Sequence, residues 1–125
     1  PCTGQGMARK DPAVLGRWGL KRSLGLQRLQ VALLKRGAEV AKPGGTVVYS
    51  TCTFAPEENE GVVSRVLDQV RGLSLREVFV PDLEGSPGLS EWGGSSFGEE
   101  MTRSARYYPH QNDTGGFFVA KLVKE

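Results

Sequence analysis

The sequence predicts an α/β fold, the second half of a larger doubly wound sheet. Three observations carry that expectation. Two long segments show helical apolar spacing, at about 23–42 and 56–71. Three short segments rich in β-branched and aromatic residues read as strands, at about 46–49, 75–80 and 116–123. The two kinds alternate along the chain, which is α/β logic. Three strands make a thin sheet for two helices with broad apolar faces. Pro1-Cys2 is neither a translation start nor a signal sequence. The 125 residues are therefore expected to form part of one domain of a larger protein.

In the first helix, Leu26, Leu29, Leu33 and Val40, with Leu34 and Ala41, follow helical spacing, and Ser23 suits the N-cap. Lys42 complements the carboxyl end, and Pro43-Gly44-Gly45 stops the helix. Thr46-Val47-Val48-Tyr49 is short and does not alternate, as expected of a strand covered on both faces. Pro56 suits the first position of the second helix, which carries Val62, Val63, Val66, Leu67 and Val70 on one stripe; Gly72 suits a left-handed stop. Leu75 to Val80 is a strand ended by Pro81. Residues 3–17, rich in Gly and charge, read as an irregular loop with one helical turn at most. Residues 82–105 are interrupted by Gly85, Pro87, Gly88, Gly93, Gly94 and Gly98 and read as a mobile loop, with Trp92, Phe97 and Met101 available to pin it as a lid. Asn112-Asp113-Thr114-Gly115 turns the chain into the last strand, Gly116 to Val123.

Net charge is +2, but it is unevenly spread. Residues 1–42 hold nine Lys/Arg against Asp11 and Glu39, and the remainder holds seven basic and twelve acidic residues. A basic first third is either a phosphate-facing surface or a solvated helix face. The apolar runs are too short to span a membrane. Two cysteines and one histidine are too few for a closed zinc site. Both cysteines read as reduced thiols of a cytosolic protein rather than as a disulfide staple.

Chemistry centres on Ser50-Thr51-Cys52-Thr53, at a strand's carboxyl end and just before a helix. Open α/β sheets place their sites there. The amides and dipole of a helix starting at Pro56 favour a thiolate nearby. Cys52 is then a nucleophile; the other reading is a small core residue, because free cysteine is often buried. Cys2 precedes a Gly-rich loop in the same grammar. If it ends a neighbouring parallel strand, the two strand ends lie about 4.8 Å apart and both thiols face one pocket. Glu57, Glu58 and Glu60 are site acids or merely favourable charges in a first helical turn. His110 is a possible dyad partner for Cys52, although loop histidines are mostly solvated. Arg9, Lys10 and Arg106 are candidates to meet phosphates, and Tyr107, Tyr108 and Phe118 to stack a base, with Phe118 better suited to the core.

Several of these stretches together resemble one family. They are Pro1-Cys2-Thr3-Gly4 with Gly6, Arg9 and Pro12; Lys42-Pro43-Gly44-Gly45; Tyr49-Ser50-Thr51-Cys52-Thr53; Pro56-Glu57-Glu58-Asn59-Glu60; and Arg106 through Pro109-His110 to Gly116-Phe117-Phe118-Val119-Ala120. In this order they closely resemble the Nop/Sun family of RNA (cytosine-5)-methyltransferases. A proline-cysteine alone also occurs in DNA cytosine methyltransferases; a threonine-cysteine following at this distance is specific to the RNA enzymes.

The resemblance implies a seven-stranded Rossmann-like sheet, of which residues 1–125 supply the C-terminal part, about three strands and two helices. It implies methyl transfer from S-adenosylmethionine to carbon 5 of cytosine in rRNA or tRNA. Cys52 matches the nucleophile that adds to carbon 6. Cys2 matches the residue assigned to product release. A base reached this way must be unstacked or flipped, which suits a flexible, partly aromatic lid. The family's Gly-rich cofactor loop, its ribose-binding acid and its aspartate two positions before Pro1 match nothing here. The chain is thus expected to hold no cofactor-binding residue and not to turn over by itself. The implied location is the cytoplasm, or the nucleolus in a eukaryote. The competing readings are a DNA cytosine-5 methyltransferase attacking through Cys2, and a non-catalytic RNA-binding or assembly module.

Overall fold

The strand nearest the end of the sequence is the centre of the sheet. The computed structural model describes residues 1–125. A 3-10 turn, Gln5–Met7, leads into α1 (Ala13–Arg17), α2 (Leu20–Val40), β1 (Thr46–Thr51), α3 (Glu60–Gln69) and β2 (Leu73–Arg76). Then come β3 (Ser86–Pro87), β4 (Glu91–Trp92), β5 (Ser95–Ser96), a 3-10 helix over Glu99–Arg103, β6 (Ala105–Tyr107), α4 (Pro109–Asn112) and β7 (Phe117–Lys124). No helix is long and apolar enough to cross a membrane.

Along one side of β7 runs β1, antiparallel, from Thr51 opposite Phe118 to Thr46 opposite Val123. The other side is shared end to end by β2 and β6, also antiparallel, and β3 extends β6 to give five strands. Because β1 and β2 both oppose β7, they are parallel to each other, and α3 connects them. The unit is a β-α-β crossover with a later strand slotted antiparallel into its middle.

β7 alternates as a half-buried strand should. Phe118, Ala120 and Leu122 point into a core completed by Leu34 of α2, Val62, Val63 and Val66 of α3, Leu75 and Met101. Within these 125 residues β1 is paired along one edge, and Thr46, Val48 and Ser50 face outward, Val48 being 61% exposed.

The register of α2 departs from the apolar stripe. The helix starts at Leu20, so Ser23 lies inside it instead of capping it. Leu29, Leu33 and Val40 are exposed, and the buried face is Ser23, Gln27, Gln30, Leu34 and Ala38. Its first half packs over a polar centre described below, so polar side chains turn inward.

The second helix starts at Glu60 rather than Pro56, because residues 56–59 form a turn. Gly72 takes the left-handed conformation expected of it, with φ 81°. Residues 82–105 are not wholly irregular: they contain β3, the β4–β5 ribbon and a 3-10 helix. Met101 does pin the segment, fully buried in the core; Phe97 packs at its margin, and Trp92 stays exposed.

Candidate active site

β1 ends at Thr51 and delivers Cys52 to the next position, where its backbone is held by the N-terminal segment. The Gly6 amide donates to the Cys52 carbonyl at 2.6 Å, and the Gly116 amide donates to the Gly6 carbonyl at 2.7 Å. Nothing larger than glycine fits at position 6: a Cβ there would stand 2.0 Å from the Gly116 oxygen and 2.7 Å from that of Cys52. Gly116 in turn lies beneath the Phe54 ring, so the loop after Cys52, the N-terminal segment and the entry to β7 make one close-packed layer.

That layer brings the two thiols together. Cys2 Sγ and Cys52 Sγ lie 3.1 Å apart although fifty residues separate them, and both are free and half-buried. The Gly6–Cys52 bond ties the segment that carries Cys2 to the residue that carries the other thiol. The pair lies on an open pocket of about 490 Å³ lined by Pro1, Cys2, Ser50, Thr51, Cys52, Phe117 and Val119.

Beneath the thiols lies a carboxylate with a full set of donors. Glu58 is wholly buried. Its Oε1 accepts from the Thr3 amide at 2.9 Å and from Gln30 Nε2 at 3.1 Å. Its Oε2 accepts from the Thr3 hydroxyl at 2.6 Å and the Ser23 hydroxyl at 2.9 Å. Since the Thr3 proton is committed to the carboxylate, the Thr53 hydroxyl must be the donor in its 2.8 Å contact with Thr3. The residue after each cysteine is thus tied to the other and to Glu58. Gln27 Nε2 donates to the Glu57 carbonyl, and the Tyr49 hydroxyl to that of Glu58. Asn59 receives the Thr51 hydroxyl and donates to the Thr53 carbonyl.

The electrostatics correct one expectation. The helix begins eight residues after Cys52 rather than four, and the thiol is raised instead of lowered as a nearby helix dipole would have it. Burial pushes the Cys52 thiol up to about 11, reinforced by its hydrogen bond to Cys2 and by the charge of Glu58. Burial, with Glu58 and Cys2, also pushes the Tyr49 phenol up. Cys52 is therefore a protonated thiol near neutral pH, and it gains nucleophilic character only on losing that proton.

Arg106 is not a phosphate-facing cation. Its side chain is 4% exposed and forms a two-pronged ion pair with the wholly buried Glu60, at 2.7 and 2.6 Å. A third donor reaches the Phe54 carbonyl at 3.0 Å, so this pair braces the loop that follows Cys52. Burial opposes the guanidinium charge, but Glu60 outweighs it. Arg9 is half-exposed and bonds Asp113 and the Thr114 carbonyl; Lys10 is exposed. His110 stacks on Tyr108, which stacks on Phe54, while Cys52 bonds Cys2; no Cys52–His110 dyad is assembled. Tyr107 is buried against Phe117, and Phe118 is core, as its apolar context suggested.

Sequence reading weighed Glu58 only as one of three acids and missed Thr3, Thr53, Ser23 and Gln30. The available signal was the polar spacing of Ser23, Gln27 and Gln30, which marks one helical face.

This partial sheet, with a thiol pair at a strand end, is part of a Rossmann-like methyltransferase domain. A crystal structure of NSun6 from Pyrococcus horikoshii, solved with SFG, superposes on 99% of the chain with TM-score 0.78 and 35% identity, the chain covering 28% of it. Residues 1–123 match the family described as 16S rRNA methyltransferase RsmB/F, and the chain belongs to that family, whose members include the Nop/Sun enzymes. The tRNA (cytosine(49)-C(5))-methyltransferase of Pyrococcus abyssi is 38% identical over 124 residues, covering 99% of this chain and 39% of the relative. Ribosomal RNA small subunit methyltransferase F of Citrobacter koseri is 35% identical over 124 residues, covering 99% of this chain and 24% of the relative. The chain spans well under half the length of both.

Proposed function

We propose that this chain is the base-attacking portion of an S-adenosylmethionine-dependent RNA (cytosine-5)-methyltransferase, with Cys52 as nucleophile and Cys2 as the release residue. The carrying observation is the Cys2–Cys52 contact of 3.1 Å on an open pocket. Carbon 5 of cytosine is a poor nucleophile. When the Cys52 thiol loses its proton and adds to carbon 6, the carbon 5–carbon 6 electron pair becomes that of an enamine, and carbon 5 can take a methyl group. Removal of the carbon 5 proton then restores the double bond and expels Cys52. Cys2, within hydrogen-bond reach of the departing sulfur, is placed to serve that step.

RNA as substrate rests on the relatives, whose names specify tRNA and ribosomal RNA. The methyl donor rests on the family and on the NSun6 structure with SFG, an S-adenosylmethionine analogue. The pocket does not fit that cofactor by itself, since no acidic side chain lines it to grip a ribose. We assign the base to these residues and the cofactor to none of them, and expect residues 1–125 alone to be inactive. Arg9 and Lys10 remain the phosphate contacts of this reading. A free thiol pair calls for a reducing compartment, the cytoplasm or a eukaryotic nucleolus.

The test incubates the full-length protein with cofactor and RNA containing 5-fluorocytosine, whose carbon 5 cannot release a proton. An adduct mapped to Cys52 is expected. An adduct on Cys2, or reaction with DNA alone, would replace the reading with a DNA enzyme. Absence of both adduct and cofactor binding would leave a non-catalytic module.

A further inference from the structure

We infer that Glu58 is the positioning residue of the thiol pair: through Thr3 and Thr53 it holds Cys2 against Cys52, and it acts on release more than on attack. The inference rests on the roles proposed above for the two cysteines. Three observations carry it. Glu58 is wholly buried yet has no cationic partner; its four protein donors satisfy it instead. Two of those donors are the amide and hydroxyl of Thr3, the residue bonded to Cys2. The hydroxyl chain from Thr53 to Thr3 to Glu58 links the residues that follow both cysteines.

The two thiols are not anchored equally. Cys52 has independent supports: β1 on one side, the Gly6 amide on its carbonyl, and Asn59 on the Thr53 carbonyl. Thr3, beside Cys2, bonds the carboxylate directly, whereas Thr53, beside Cys52, reaches it only through Thr3. Removing the carboxylate therefore loosens Cys2 selectively. Attack by Cys52 continues, while elimination, which needs Cys2 within reach of the departing sulfur, slows.

Glutamine separates position from charge. A Glu58→Gln side chain keeps one oxygen for the Thr3 amide and Gln30. Its NH₂ can donate to Thr3 and Ser23, whose hydroxyls rotate to accept. The tie survives with reversed polarity and no charge.

The experiment uses the full-length protein with two RNAs, one with ordinary cytosine and one with 5-fluorocytosine. Wild type must form the 5-fluorocytosine adduct at Cys52; if it does not, the proposed function fails and the positioning role falls with it. Given that adduct, Glu58→Ala is expected to lower kcat about 100-fold, the scale of a roughly 1 Å misplacement, with KM falling alongside it, because attack, and with it kcat/KM, is spared. It is also expected to accumulate covalent adduct on ordinary RNA. Glu58→Gln should stay within about threefold of wild type in kcat. Where Glu58→Ala does not fold, Thr3→Val, nearly isosteric, should lower kcat about tenfold with the same accumulation. The positioning role is overturned if Glu58→Gln is as impaired as Glu58→Ala while folded, which would make the charge decisive. It is equally overturned if ordinary-RNA adduct fails to rise in the impaired variants.

Discussion

Replacing Arg106 with methionine isolates the buried ion pair behind the Cys52 loop. Methionine keeps a long apolar stem but no donors, so Glu60 retains only the Leu89 amide, and the Phe54 carbonyl loses its guanidinium. Solvent cannot replace them, because the two side chains are 4% and 0% exposed. Removing one partner of such a pair costs about 3–5 kcal/mol. Urea unfolding of full-length wild type and variant near neutral pH measures this. A loss of less than about 1 kcal/mol would refute a desolvated pair. Adding Glu60→Leu should recover much of the loss, since no charge is then stranded.

Other outcomes follow from the same geometry. Gly6→Ala should destabilise by at least about 1–3 kcal/mol and abolish adduct formation, because its Cβ meets backbone at 2.0 Å; calorimetry and the 5-fluorocytosine adduct report both. With its thiol pushed up to about 11, Cys52 in the RNA-free protein should react with iodoacetamide roughly 100-fold or more slowly than an ordinary cysteine near neutral pH. Half-maximal alkylation below about pH 8.5 would contradict that. Because folding raises the affinity of Cys52 for its proton, its contribution is full below the ordinary thiol pKa of about 8.5 and is lost as pH rises through about 11; Tyr49, also raised, keeps its contribution up to the ordinary phenol pKa of about 10 and loses it only above that. Denaturant midpoints should fall across that window, less steeply in Cys52→Ala. Cys2→Ala should accumulate RNA adduct on ordinary cytosine, seen as a band stable in denaturing gels; normal turnover would remove Cys2 from the release step.

The strands and helices were legible where one physical signal dominated. Phe118, Ala120 and Leu122 alternate with outward residues, and Val62, Val63 and Val66 share a stripe, so β7 and α3 were evident from apolar spacing. That signal failed on α2, where Ser23 and Gln30 turn inward to serve Glu58. Apolar periodicity cannot register a buried face whose partner is a carboxylate. Motif order located Cys2 and Cys52, but not what holds them. Arg106 read as a candidate to meet phosphate because its partner, Glu60, lies forty-six residues away.

The central position of β7 has a consequence for when the thiol pair takes shape. Of the strands here it emerges last from the ribosome, yet β1 and β2 both pair with it. Contacts so distant in sequence form late in folding. Until residue 117 and its successors arrive, β1 lacks its antiparallel partner and Gly6 lacks its Gly116 clasp. The two thiols are thus locked together only after β7 has been made, so the last strand acts as the fastener of a site whose parts lie far upstream.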